Sequence, residues 1–542
     1  MINKTFSSIS RIVSVSLVFA GCLLFSSGVK SQNTSDPKET IQKFATTLQI
    51  IEFAYVDSIN SPDLTESAII EMLKKLDPHS AYISKEEVER VNEPLEGSFD
   101  GIGVTFQIFE DTIIVISPVP GGPSDKLGIL AGDKIIAIEG ESATGKTITN
   151  DYVMKRLRGQ KGTTVTISVK RYGKTEPIDF TIVRDKIPLN SIDATFMVTP
   201  KIGLIKLTRF SKTSMEEFTE SLAKLQEQGM KSLILDLRGN SGGYLDVAVK
   251  LSDEFLTDKK VIVYTEGLRS PRQDFDATDF GGFELGRLVI LINEGSASAS
   301  EIVAGAVQDW DRGLIVGRRS FGKGLVQRPF KLPDNSMIRL TTARYHTPTG
   351  RCIQKPYEEG SDEYSQDFKH RLDNGELVSA DSIKFPDSLK YFTPGGRVVY
   401  GGGGIMPDIF TPIDSTRFSD YYTDLVRKSV FNNFVISYLD KNRNSILEKH
   451  PDLSAFKKDF EVDAEIYDSF AKKATDEGVT RKPDDKYYYP DEKIKIQIKA
   501  LLARNLWDMN AYFEVINLID DELKTAISLI EDGKKFTELK LR

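Results

Sequence analysis

Three short segments carry residue types and spacings that could do chemistry together. Gly295-Ser296-Ala297-Ser298-Ala299-Ser300-Glu301 follows the apolar run Leu288 to Asn293 and opens a helical pattern from Ser300 to Trp310. Small residues allow a tight turn and a close approach by a substrate backbone. A serine in that turn has its hydroxyl near the free N–H groups of a helix start, which favour developing negative charge. Serine with glutamate three residues on also makes a capping box, so this segment alone leaves cap and nucleophile both open. The second segment, Ser320-Phe321-Gly322-Lys323-Gly324-Leu325-Val326-Gln327, sets Lys323 between two glycines and beside apolar neighbours. Lysine, with an ordinary pKa of about 10.4, is a base only when burial or nearby cations lower that value. Arg318 and Arg319 are expected to help if they lie close. A surface lysine or a phosphate loop is the alternative, although the pattern G-x-x-x-x-G-K-[ST] is absent. The third segment, Asp236-Leu237-Arg238-Gly239-Asn240-Ser241-Gly242-Gly243, leaves an apolar run and enters a helix near Leu245. Its glycine N–H groups suit an oxyanion hole shared with the N–H of the residue after a nucleophile, or merely a strand-to-helix turn.

Other catalytic chemistries find less support. Of the four histidines, His79, His346, His370 and His450, only His346 falls near this region, and Tyr345 and Pro348 give it the context of a strand end. Asp440 to Asn444 opens like a calcium loop, but Ser445 and Pro451 stand where glycine and glutamate are needed. Neither a metal nor a cofactor is expected.

Five stretches must position these residues. Residues 1–31 have Lys4 and Arg11, a mostly apolar Ile12 to Phe25, and a small polar end, the layout of a secretory signal. Val29-Lys30-Ser31 is one cleavage site; Phe19-Ala20-Gly21-Cys22 loosely fits lipid attachment, although Leu23, Leu24 and Phe25 prolong the apolar run. An uncleaved membrane anchor is a third reading. The expected location is the cell envelope, most simply the periplasm. Residues 32–95 read as helical, with Ile41, Phe44, Ala45, Leu48, Ile51 and Tyr55 in helical spacing and a stop at Asp77-Pro78. Residues 96–186 hold strand runs Thr112 to Ser117, Lys134 to Ile138 and Thr163 to Lys170, with a helix between Thr149 and Leu157. Residues 187–412 alternate strands and helices; Ser232 to Leu237 and Leu288 to Ile292 are continuous apolar runs, as for strands buried on both faces. Residues 355–395 read as a polar surface excursion, and Gly401 to Gly404 as loop. Residues 413–542 read as an amphipathic helical extension.

The bulk properties agree. A chain of 542 residues exceeds one core, and a net charge of −8 with both signs dispersed argues against a nucleic-acid footprint. Two cysteines, one of them Cys22, exclude a disulfide framework.

Taken in order, the motifs resemble the carboxyl-terminal processing, or tail-specific, proteases across about residues 40–412. The resemblance includes Leu76-Asp77-Pro78-His79-Ser80, Gly101-Ile102-Gly103-Val104, Asp236 to Gly243, Ser296 to Glu301, Gly322 to Gln327, and Gly404 to Asp408. It implies a PDZ-like β domain and a crotonase-like ββα protease core; with the helical N-terminal segment and the helical C-terminal extension read above, the expected fold is α+β / α/β multidomain. The resemblance implies Ser298 as nucleophile, Lys323 as general base and Gln327 as the residue orienting the lysine. The oxyanion hole would be the Ala299 N–H with that of Gly242 or Gly243. Gly101, Ile102, Gly103 and Val104 would bind a free C-terminal carboxylate, the tail adding a strand to the sheet edge. Arg158, at the end of the Thr149 to Leu157 helix, would latch tail binding to the active site, or be a solvated helix-end charge. The expected partners are protein or peptide substrates with free, apolar C-termini, with a homo-oligomer or accessory protein held through the C-terminal helices. Two other readings are a non-catalytic PDZ scaffold with a degenerate hydrolase-like domain, and a crotonase-type acyl-CoA enzyme.

Overall fold

The computed structural model describes residues 36–541 except Tyr172. The signal pattern and Cys22 lie outside the described residues. Two units separate, one ending at Met72 and the other running from Leu73 to the C-terminus. The first holds the Pro37–Ala54 helix, whose cap Asp36 accepts from Lys38 N at 3.0 Å, and most of the Ser61–Lys74 helix.

The centre of the second unit is a six-stranded sheet. Its order is Ile192–Thr199, Ile202–Leu207, Ser232–Asp236, Leu288–Ile292, Leu314–Gly317 and Ile409–Phe410. The first pair is antiparallel and the rest are parallel. The apolar runs are continuous because both faces are covered, and alternate residues serve opposite faces. Leu235 and Ile290 pack with Phe218, Leu251 and Val303, from the helices Ser214–Glu227, Leu245–Asp253 and Ala299–Asp309. Ile234 and Leu291 pack on the other face against Leu523, Ala526 and Ile530 of the Asp521–Asp532 helix. The end of the C-terminal extension is therefore half of the core sandwich. The sequence suggests an appendage for association; apolar spacing marks a buried helix face but not the surface that buries it.

A second sheet flanks the first. Met337–His346 pairs with Leu325–Lys331, with Val261–Gly267 and with Ala81–Ile83. Residues 81–83 thus depart from the all-helical expectation for 32–95: after the Asp77-Pro78 stop the chain extends and joins a sheet edge.

The PDZ-like unit is a sheet in the order Val104–Phe109, Thr112–Pro118, Lys134–Ile138, Thr164–Lys170 and Ile178–Val183. Its core joins Ile113, Val115, Ile135 and Ile167 to Val153 and Leu157 of the Asn150–Leu157 helix. Thr149 caps that helix, its side chain accepting from Tyr152 N at 3.2 Å. The entering strand Ser98–Gly101 pairs with the leaving strand Asp185–Pro188 and closes the unit at its neck. The remaining extension is a helical bundle with its own core, including Phe431, Phe456, Phe470, Ile498 and Leu502.

Candidate active site

Ser298 lies between the buried Leu288–Ile292 strand and the Ala299–Asp309 helix that it caps. Its backbone is at φ 54°, ψ −112°. A positive φ in a residue with a Cβ costs on the order of 1–3 kcal/mol and persists only where the surroundings enforce it. The enforcement is visible. Ser298 N donates to Glu301 Oε2 at 2.8 Å, and Ser298 O accepts from Tyr345 Oη at 3.1 Å. The flanking serines are fully buried and committed elsewhere. Ser296 Oγ donates to Leu237 O and Ser300 Oγ to Asn240 O, both at 2.8 Å. Among the three, Ser298 is the one that reaches the cleft.

Lys323 lines the same cleft, a space of about 450 Å³ that also borders Gly242, Gly243, Ala299, Gln327 and Arg339. Two buried groups tie the serine and lysine segments together. Glu301 accepts from Ser298 N, from Lys323 N at 2.9 Å, from Gly322 N at 2.7 Å and from Ser320 Oγ at 2.5 Å. Burial pushes its carboxyl up to about 6, against the pull of these four donors. Tyr345 Oη bonds both Ser298 O and, at 2.7 Å, Lys323 O. The sequence offers Glu301 only as a capping residue and Tyr345 as strand-end context; neither shows its second partner, across a chain separation that only the fold closes.

Lys323 Nζ donates to Gln327 Oε1 at 3.0 Å, and Gln327 Nε2 donates to His79 O. The second bond fixes which end of the amide faces the lysine. Among the described residues no hydrogen bond joins Lys323 Nζ to Ser298 Oγ. Burial lowers the lysine pKa and the Arg339 cation lowers it further, while Glu301 and Asp77 oppose them. Arg318 and Arg319, the cations nearest in sequence, are not those acting on it. Arg318 pairs with Glu294 and Glu522, and Arg319 with Glu376.

The Asp77-to-Ser80 turn brings His79 to this place. Asp77 Oδ1 accepts from His79 N at 2.8 Å and Ser80 N at 2.9 Å, and Thr341 N of the second sheet donates to Ser80 Oγ at 3.1 Å. Burial, with Lys323 nearby, pushes the His79 imidazole down to about 4, so it is neutral and adds no competing charge. His346 instead stacks on Tyr264, and its Nδ1 lies 3.2 Å from Gly350 O, away from the serine. The Gly401–Gly404 run backs the lysine loop: a Cβ on Gly322, at φ 87°, would stand 3.0 Å from Gly404 N. Nor is the 355–395 stretch only surface. Tyr364 meets His79 Nε2 at 2.8 Å, and Arg371 Nη1 donates to Ser320 O at 2.8 Å.

The Asp236–Gly243 turn abuts the serine, since a Cβ on Gly242 would lie 2.8 Å from Ser298 Cβ. The two glycines differ. Gly242 N donates to Asn240 Oδ1 at 2.9 Å, whereas the N–H groups of Gly243 and Ala299 have no partner among the described residues. Burial alone would raise the Asp236 carboxyl; Arg238 and Lys206 overcome it and hold the group well below the usual range. Arg238 in turn bonds Asp520 Oδ2 and Glu522 Oε2, both at 2.7 Å.

In the PDZ-like unit the Ile102 and Gly103 carbonyls turn inward, accepting from Ser124 N at 3.1 Å and Val119 N at 2.9 Å. Their N–H groups have no partner among the described residues. Arg158 bonds Glu93 and lies 4.3 Å from the centroid of the Phe99 ring. Glu93 belongs to the Val88–Glu96 helix, whose Asn92 and Leu95 line the Ser298 cleft.

Residues 201–360 match the model of peptidase family S41, 101–182 that of the PDZ domain, and 24–87 that of the activating protease CtpB N-terminal domain. The chain is 35% identical over 340 residues to the carboxy-terminal-processing protease of Bartonella bacilliformis, covering 62% of this chain and 77% of that one. The chain belongs to peptidase family S41. As an S41 protein it is a serine-type peptidase, a carboxy-terminal processing protease that carries a PDZ domain. It is also 33% identical over 363 residues to a probable CtpA-like serine protease of Staphylococcus aureus, covering 65% of this chain and 71% of that one. Among solved structures it resembles a photosystem II D1 C-terminal processing protease, at 28% identity and a TM-score of 0.32, covering 57% of this chain and 83% of that one. Residues 421–508, in the helical extension of this S41 protein, match a family of unknown function.

Proposed function

We propose that this chain is an exported endopeptidase that holds substrates by their C-terminal tails and cuts them with a Ser298–Lys323 dyad. The observation that carries the reading is the double clamp of Glu301 and Tyr345, which brings the strained serine and the pKa-lowered lysine into one cleft. Ser298 Oγ attacks the peptide carbonyl while neutral Lys323 Nζ takes its proton. With Gln327 Oε1 holding one N–H, the lone pair is left for the serine. The Ala299 and Gly243 N–H groups, both without partners, are the donors proposed for the oxyanion; Gly242 is already engaged by Asn240. Lys323 then gives its proton to the leaving amine, and a water that it activates hydrolyses the acyl-enzyme. The scaffold and acyl-CoA alternatives give way to the serine-type peptidase assignment.

For domains we propose 1–31 as signal, 32–95 as the N-terminal region, 96–186 as the tail-binding domain, 187–412 as the protease core and 413–542 as the extension. Export rests on the residue pattern of 1–31, and a periplasmic location follows from it. The Ile102 and Gly103 N–H groups support a site for a free carboxylate. Specificity is proposed to come from an apolar last residue beside Ile102, Val104 and the helix face at Val153 and Leu157.

The test pairs chemistry with recognition. Ser298→Ala should abolish cleavage of an unfolded substrate while leaving the melting temperature unchanged, with Ser296→Ala and Ser300→Ala milder in catalysis. Amidating the substrate C-terminus should slow the wild type several-fold, since a lost charge-assisted hydrogen bond is worth roughly 1.5–3 kcal/mol. Normal turnover by Ser298→Ala removes the nucleophile assignment. Equal rates on free and amidated tails remove the tail reading and leave the dyad standing.

A further inference from the structure

The Val104–Phe109 strand pairs on one side with Thr112–Pro118 and stands at the edge of its sheet. Such an edge is where an extended peptide adds as a further strand. It looks into a cleft of about 1220 Å³ whose opposite wall comes from the helical extension and includes Lys428, Asn432, Lys473, Arg504 and Trp507. The two walls meet at the far end of the strand, where Lys473 Nζ lies 5.5 Å from the Phe109 ring centroid.

Most charges on the helical wall are already satisfied. Lys428 Nζ donates to Glu477 O at 2.9 Å, Lys473 pairs with Glu477 at 3.2 Å, and Asp508 accepts from Ala511 N at 2.8 Å as a helix cap. Arg504 differs. It is half-buried, its Nη2 donates to Asn432 Oδ1 at 3.2 Å, and its Nε is buried without a partner. Among the described residues no carboxylate forms an ion pair with it. Burial lowers its pKa below the ordinary arginine value. A partly desolvated guanidinium short of acceptors is improved by an incoming carboxylate, whose two oxygens match its fork.

We propose that the helical extension is the second wall of a substrate-tail channel, in which Arg504 receives an acidic side chain lying upstream of the substrate's free C-terminus. The inference rests on the tail-binding reading of the Gly101–Val104 loop. With the terminal carboxylate on that loop, an antiparallel tail runs along Val104–Phe109, and its residue opposite Phe109 is about the sixth from the end. Asn432 holds Arg504, while the adjacent Asn433 reaches Glu477, the partner of Lys473. Arg504 thus lines the same cleft as Phe109, linked to the contact there through Asn432, Asn433 and Glu477. The acidic residue is expected about four to eight residues from the end.

The experiment uses the full chain carrying Ser298→Ala and fluorescent peptides with a free apolar C-terminus. One glutamate is moved along the upstream positions, with glutamine as control, and affinity is read by anisotropy. At one position in that window glutamate should bind about tenfold more tightly than glutamine. Arg504→Gln should erase that preference and leave the glutamine peptide's affinity unchanged. Absence of a glutamate preference at every position overturns the proposal, whether or not Arg504→Gln folds. An undiminished preference in a natively melting Arg504→Gln chain overturns it too. Free and amidated peptides are compared in parallel. If they differ while glutamate and glutamine do not, the channel wall is wrong and the tail reading stands; if they bind alike, the tail reading itself has failed.

Discussion

On the proposed mechanism the pH behaviour turns on Lys323. Burial and Arg339 lower its pKa, so the neutral amine becomes available below the ordinary lysine range of about 10.4. Cleavage should therefore rise with pH through that lowered value and then level off. Lys323→Arg should be as inactive as Lys323→Ala in a peptide-release assay, because a guanidinium keeps the charge but does not deprotonate. A rate that is flat from acid to alkaline pH would mean another group takes the proton. Glu301 makes a different prediction. Four donors converge on its two oxygens, and an amide offers only one acceptor oxygen. Glu301→Gln should lose about 2–4 kcal/mol in urea unfolding, as buried donors are left unmet, and most of its activity with it. The folded pKa of about 6 lies above an unfolded value of about 4.3, so this group's contribution is full below the unfolded value and is lost as pH rises through the folded one. Wild-type stability should show that loss between about pH 4 and 6, and Glu301→Gln should not.

At the scale of elements, the Val88–Glu96 helix touches both the PDZ domain and the Ser298 cleft, which on the proposed function would couple tail binding to catalysis. It offers Glu93 to Arg158 of the PDZ domain and presents Asn92 and Leu95 to the Ser298 cleft. Arg158→Ala should bind tails with unchanged affinity by anisotropy while cutting several-fold more slowly. Unchanged kcat would reduce Arg158 to a helix-end charge. The arginine was legible in the sequence as the last residue of a helix. Its partner was not, because Glu93 is one of several acidic residues in a segment read only as helical.

For the molecule as a whole, the C-terminus is a structural member of the protease core. Leu523, Ala526, Ile530 and Phe536 cover one face of the central sheet, and Asp520 and Glu522 hold Arg238 beside the glycine turn. A chain ending at Ile516 should be insoluble or melt far lower than wild type, since it exposes that face and removes the Asp520 and Glu522 partners of Arg238 and Arg318. Glu522→Gln alone should cost roughly 1–3 kcal/mol in urea unfolding, because Arg238 keeps Asp236 and Asp520 and Arg318 keeps Glu294 while charge-assisted bonds are lost. A dispensable extension would leave both variants at wild-type stability.

What the sequence determined by itself was local chemistry and element type. Continuous apolar runs at Ser232 to Leu237 and Leu288 to Ile292 announced strands covered on both faces, and small residues at Gly295 to Ser300 announced a turn that could expose a hydroxyl. The resemblance of the ordered motifs to a known family pointed to Ser298, Lys323 and Gln327; each segment alone left a cap, a surface lysine or a plain turn open. The tertiary structure alone decided which groups serve those residues. Arg339 rather than Arg318 or Arg319 sits by the lysine, and Tyr345 and Glu301 each bridge two loops. Gly242 is engaged by Asn240 while Gly243 is left without a partner. Such choices depend on the direction of a single N–H or on contacts between residues far apart in the chain. Composition and periodicity carry neither, since a hydrogen bond is fixed by geometry that only the folded backbone supplies.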